Sequence, residues 1–148
     1  MKFESEAHKA AFMELMSHAK RANQAPQIKF RDEHHEQAYH KVLSRMKRDD
    51  AYHRSAAYLI ALADLVPNDV FDFEEDGIKH TGLFHGWQTH SSRKATRLMF
   101  SLWNGCYQDH AAENPEETST YYTVDEIFSN GEYAPWFYEA IKIRFERV

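Results

Sequence analysis

Residues 91–105, SSRKATRLMFSLWNG, set Ala95, Leu98, Met99, Leu102 and Trp103 on one stripe at helical spacing. Ser91 or Ser92 stands where an N-cap belongs, and Gly105 stands where a helix ends in left-handed backbone. The stretch predicts an amphipathic helix ending near Asn104, and such a helix must bury its apolar stripe against other elements. The same period recurs outward in both directions. Upstream, Asp49 and Asp50 cap a helix predicted to reach Val66, burying Tyr52, Ala56, Leu59, Ile60 and Ala63 and stopped by Pro67. Before it, Asp32 opens a helix burying Ala38, Tyr39, Val42, Leu43 and Met46. Ser5 opens another, to about Lys20, carrying Ala7, Ala11, Phe12, Leu15, Met16 and Ala19. Downstream, Thr123 and Glu126 form a capping box, and Pro135 enters the first turn of a last helix burying Phe137, Ala140, Ile141 and Phe145.

Residues 71–90, FDFEEDGIKHTGLFHGWQTH, break the pattern. They hold three of the five glycines, Gly77, Gly82 and Gly86, among aromatics with no helical period, and read as a loop or short hairpin. A chain of 148 residues with 43% apolar content closes one core. The expected fold is mostly α: a single compact domain, residues 1–148, of about five to six helices.

The first two helical stretches look like copies at an offset of 27. Lys2, Phe3, Glu6, His8, Ala11 and Ser17 recur as Lys29, Phe30, Glu33, His35, Ala38 and Ser44, and Phe12 and Met16 recur conservatively as Tyr39 and Leu43. Residues 1–27 thus read as an N-terminal helix duplicating 28–48, a pair of helices that could compete for one groove, and a homodimer is possible. The bland alternative is that any two amphipathic helices resemble each other.

Cys106 is the only cysteine, which excludes an intrachain disulfide and a multi-cysteine zinc site and fits a reducing compartment. No apolar run approaches the roughly 20 residues of a membrane span, and the start MKFESEAHKA is too charged for a signal peptide, so a cytoplasmic location is expected. The net charge of -5 is unevenly spread. Residues 1–60 carry 11 Lys and Arg against 8 Asp and Glu, while 61–148 carry 7 against 15. From Leu98 to Ile141 there is no Lys or Arg. Such a segment repels phosphates and suits a basic protein partner.

The motifs DFEEDGIKHTGLFHGWQTHSSRKATRLMFSLWNG (72–105) and YAPWFYEAIKIRF (133–145) resemble a short bacterial family of unknown function found in Gram-positive genomes and their mobile elements. The resemblance runs from about Ile28 to the C-terminus, leaving the first helix outside. It implies a fold and carries no activity with it.

Two groups of residues invite a functional reading. Asp76, Lys79, His80, His85, Trp87, Gln88, Thr89, His90 and Arg93 crowd a glycine-containing loop and the start of a helix, where free N–H groups and the helix dipole attract anions. Within it, Asp76, His80, His85 and His90 are the candidate ligands for a divalent metal, although no cofactor is expected. The plain alternative is that the serines cap a helix and the acids solvate a loop. Five histidines follow a carboxylate by four residues (Glu4/His8, Glu14/His18, Glu36/His40, Asp49/His53, Asp76/His80) where chance gives about 1.6, a spacing suited to ion pairs. His35 and His40 flank Glu36 in a near-miss of the zinc-protease helix, but five residues separate them rather than four, which turns them to different faces.

The second group is the acidic surface of Asp109, Glu113, Glu116, Glu117, Asp125, Glu126 and Glu132. It favours a small protein-binding module, an inhibitor or regulator of the anti-defence type that docks on a basic groove. The alternatives are a metal- or phosphate-binding enzyme built on 72–97, and a helical nucleic-acid binder using Lys41, Arg45, Lys47, Arg48 and Arg54. Asp49, Asp50 and the acidic total weigh against the last.

Overall fold

The segment Ala51–Leu62 is apolar on nearly every side, so a helix formed from it has to be enclosed rather than laid on a surface. The computed structural model describes residues 5–22, 27–84, 88–109 and 121–146, with backbone alone at 17–22, 68 and 84. In chain order the elements are α1 (Glu6–Ala22), α2 (Glu33–Arg45), α3 (Ala51–Leu62), β1 (Phe71–Asp72), β2 (Gly77–Ile78), α4 (His90–Asn104), α5 (Val124–Phe128) and α6 (Ala134–Phe145). Short 3-10 turns lie at Val66–Asn68 and His80–Phe84. The fold is mostly helical and forms one domain around α3, which packs on α2, α4 and α6. Tyr58, Leu59, Ile60, Met99, Phe100 and Phe137 are the centre of the core.

Asp32 caps α2 and Asp50 caps α3, each accepting the N–H of the residue three positions on, as the sequence predicts. The end of α3 differs. It stops at Leu62, short of Val66, because Asp64 adopts left-handed backbone (φ 51°) and the Leu65 N–H turns back to the Ile60 carbonyl at 2.8 Å. Pro67 lies in the following 3-10 turn and is not the stop signal. Tyr52, expected inside, is exposed and lies against the Arg144 guanidinium, 3.6 Å from its ring centre. Phe145 is also exposed. It sits five residues from Ala140, about 140° round α6, so it points away from the stripe of Phe137, Ala140 and Ile143.

Residues 71–84 form a two-stranded hairpin followed by a 3-10 turn. Phe71 pairs with Ile78 and Asp72 with Gly77, antiparallel. The Asp72 carboxylate accepts the N–H groups of Glu74 and Glu75 at 3.0 and 2.9 Å, which folds the turn and holds its carboxyl below the usual range. Gly82 lies where a Cβ would come within 2.7 Å of Val70 Cγ1 and 2.9 Å of the Asp69 carbonyl oxygen. Gly82→Ala is therefore expected to lower stability by about 1–3 kcal/mol, read from the shift in a urea denaturation midpoint. Gly77→Ala, which meets open space, should cost far less.

Candidate functional site

The hairpin turn is tied to α3 by one histidine. His53 is buried, with Nδ1 2.7 Å from Asp50 Oδ1 and Nε2 2.7 Å from Asp76 Oδ1. Ionised carboxylates only accept, so this geometry suits a ring protonated at both nitrogens, an imidazolium between two acids. Burial opposes that charge, but the hydrogen bonds and charges of Asp50 and Asp76 outweigh it and raise the His53 pKa. Trp103 stands edge-on to the ring at 4.9 Å. With both nitrogens engaged, the ring has no lone pair for a metal or a substrate proton. Asp76 reaches it from left-handed backbone, φ 60°.

The other candidate ligands of this region are drawn apart. Asp76 turns to His53, Lys79 Nζ binds Asp69 at 2.7 Å, and the His80 ring packs against Phe100. His90 and Arg93 are exposed on the first turn of α4, and His85 and Trp87 lie outside the described residues. Among the described residues no group of three His, Cys, Asp or Glu is placed to hold a metal ion. For Asp49 and His53 the spacing of four does not make the pair: Asp49 binds Arg54, and the partners of His53 come from Asp50 and from the hairpin.

The start of α4 is closed on itself. Thr89, rather than Ser91 or Ser92, is the N-cap: its hydroxyl accepts the Ser92 N–H at 3.0 Å while Ser92 Oγ accepts the Thr89 N–H at 2.7 Å. Ser92 Oγ also donates to Gln88 Oε1, and Gln88 Nε2 donates to the Gly82 carbonyl at 2.8 Å, joining the cap to the 3-10 turn. Lys94 points inward. It is buried and donates to the Glu126 carbonyl at 2.8 Å and to the Ser129 carbonyl, capping the C-terminal end of five-residue α5.

The acidic end is built on a buried ion pair. Arg97 on α4 grips Asp109 with two parallel bonds, Nε to Oδ1 at 3.2 Å and Nη2 to Oδ2 at 3.0 Å. Asp109 is 7% exposed, so it leaves the expected partner surface: its charge is spent inside the protein. Next to it Gln108 bridges Tyr121, and the Tyr122 N–H donates to the Tyr107 carbonyl at 2.8 Å, which joins the two ends of 110–120 into a stem. Burial first, then the Asp109 charge, raises the Tyr122 phenol. Around this stem Tyr107, Tyr121 and Val124 are exposed at 69, 60 and 75%, beside exposed Asp125, Glu126 and Glu132. Glu113, Glu116 and Glu117 lie outside the described residues. Composition pointed to the acids. It did not mark the tyrosines at the borders of the segment, although Tyr107 and Tyr121 are adjacent to it in the sequence.

The basic stretch is partly committed. Arg45 lies over the Phe73 ring at 3.9 Å and Arg54 binds Asp49 at 2.5 Å. A shallow groove of about 550 Å³ beside α2 is lined by Phe30, Tyr39, His40 and Leu43 together with the opposed charges Glu36, Asp49 and Arg54. No described helix is long and apolar enough to cross a membrane.

These features define a small helical domain whose polar residues mostly stabilise its own turns and helix ends, with exposed tyrosines and carboxylates in the segments that flank 110–120. By the match of its residues 25–148, the chain belongs to a family of unknown function, DUF6075. That match begins close to Ile28, where the sequence resemblance begins, and leaves α1 outside. No curated protein and no solved structure matches the chain.

Two outcomes follow from these ion pairs. The folded pKa of His53 lies above its ordinary 6.5, so in the interval between them the folded state binds the extra proton. The contribution of His53 is thus complete below about 6.5 and lost as pH rises through the raised value. The stability difference between wild type and His53→Gln should narrow with rising pH across that window, measured by urea denaturation. For the stem, Arg97→Ala leaves Asp109 buried and uncompensated and should cost about 3 kcal/mol, whereas Arg97→Met with Asp109→Leu should recover most of it.

Proposed function

We propose that the protein is a protein-binding module, an inhibitor or regulator that docks its tyrosine and carboxylate face on a basic protein surface. What carries this reading is the exposure of Tyr107, Tyr121 and Val124, together with Asp125, Glu126 and Glu132, in the segments that flank 110–120. Tyrosine supplies large contact area at small entropic cost, and carboxylates around it steer and align a cationic partner. Arg97 is neutralised by Asp109, and Lys94, buried against backbone carbonyls, is not displayed at the surface. The groove of an enzyme that binds nucleic acid has the complementary charge. An inhibitor of the kind mobile elements carry against host nucleases would use such a face.

The test is a quantitative capture from nuclease-treated lysate with wild type, Tyr121→Ala and the pair Glu126→Gln with Glu132→Gln, which spares the Asp125 carboxylate that accepts the Ser129 hydroxyl at 2.7 Å. A single stoichiometric protein held by wild type should be lost by about tenfold or more in each variant, with melting temperatures unchanged because the altered side chains are exposed. Equal retention by the variants, or none by wild type, would remove this reading.

A further inference from the structure

Helices α1 and α2 start in the same register of the sequence repeat. Ser5 Oγ accepts the His8 N–H at 3.1 Å, as Asp32 Oδ1 accepts the His35 N–H at 2.8 Å, and the helices open at Glu6 and Glu33, 27 residues apart like the repeat. What the repeated residues do in α2 is visible. His35 is buried against α3: its Nδ1 accepts the Arg31 N–H at 3.0 Å and its Nε2–H donates to the Tyr58 carbonyl at 3.0 Å. Burial lowers its pKa, in keeping with a neutral ring. Tyr39 and Val42 are buried beside it and Leu43 is half-buried. Phe30 closes the seat over Tyr58, whose hydroxyl donates to the Lys29 carbonyl at 2.6 Å.

The matching positions of α1 are His8, Phe12, Leu15 and Met16, with Lys2 and Phe3 ahead of them in the sequence. They carry the same order of imidazole, aromatic and two aliphatic side chains. Yet Leu15 is 66% and Met16 52% exposed, and no α1 residue whose side chain is described is buried. The residue of α1 that corresponds to Asp49 is Ala22, so with α1 in the seat of α2 its end would arrive beside Asp50, the cap of α3. Residues 23–49 would then loop out between two adjacent points, a closure whose cost grows only slowly with length.

We propose that α1 is a second helix for the seat on α3, and that the chain exchanges α1 for α2 within one molecule. α2 holds the seat at rest because it runs into α3 without a looped-out segment and is capped by aspartate. Exchange keeps the core closed while presenting the displaced face of Phe30, Tyr39 and Leu43 to a partner.

The experiment uses the full chain and weakens α2 with His35→Ala. Hydrogen exchange should then show a reversal, with the amides of 33–45 losing protection and those of 6–22 gaining it. In wild type 6–22 should exchange fast and 33–45 slowly. Leu15→Asp alone should leave the melting temperature unchanged, whereas combined with His35→Ala it should lower it by much more than the two single shifts together. Additive shifts, unchanged exchange of 6–22 in His35→Ala, or outright unfolding of that single variant would each overturn the exchange.

Discussion

A helix enclosed along most of its length, as α3 is from Ser55 to Leu62, leaves its buried polar groups no water to fall back on. Ser55 returns its hydroxyl to the Tyr52 carbonyl, Tyr58 reaches Lys29, and His53 is answered by two carboxylates. The neighbours of α3 are positioned by these needs as much as by apolar contact. α2 is locked through His35 to the Tyr58 carbonyl, the hairpin through Asp76, and α6 through Arg144, which donates to the Leu102 carbonyl of α4 while covering Tyr52. Removing one such group would leave its partner buried and unsatisfied, which costs more than the bond itself contributes.

The same economy shapes the surface. Two cations of α4, Lys94 and Arg97, are drawn inward to hold the end of α5 and the stem below 110–120. Their withdrawal leaves the carboxylates of α5 and the adjoining turn facing solvent with tyrosines beside them. Electrostatic asymmetry here follows from internal structural demands on the positive charges. The withdrawal adds to an asymmetry already set by the absence of Lys and Arg between Leu98 and Ile141.

The N-terminal helix stands apart from that arrangement. It lies outside the segment that defines the family, yet its cap, histidine and apolar positions follow, with like rather than identical residues, those of the helix that the family domain buries. A helix that repeats a buried face while exposing its own places two solutions to one packing problem in a single chain. Competition of that kind is a means by which a small domain can change shape without unfolding.

Periodicity and capping residues determined the helices by themselves, because Asp32, Asp50, Thr123, Pro135 and Gly105 act through bonds to their immediate neighbours. Even the offset of 27 between the first two helices is legible in the sequence, since it is a relation between positions along the chain. What the tertiary structure alone decided are the relations between distant residues. His53 was readable only as a possible partner of Asp49, four residues before it, whereas its actual partners are set by the start of α3 and by a left-handed aspartate in the hairpin. Asp109 looks like one more surface acid until Arg97 is seen beside it, and Lys94 looks like a cation at a helix start until α5 arrives beneath it. Charge in a sequence has sign but no depth. Burial and a facing partner determine whether it binds outward or holds the fold together.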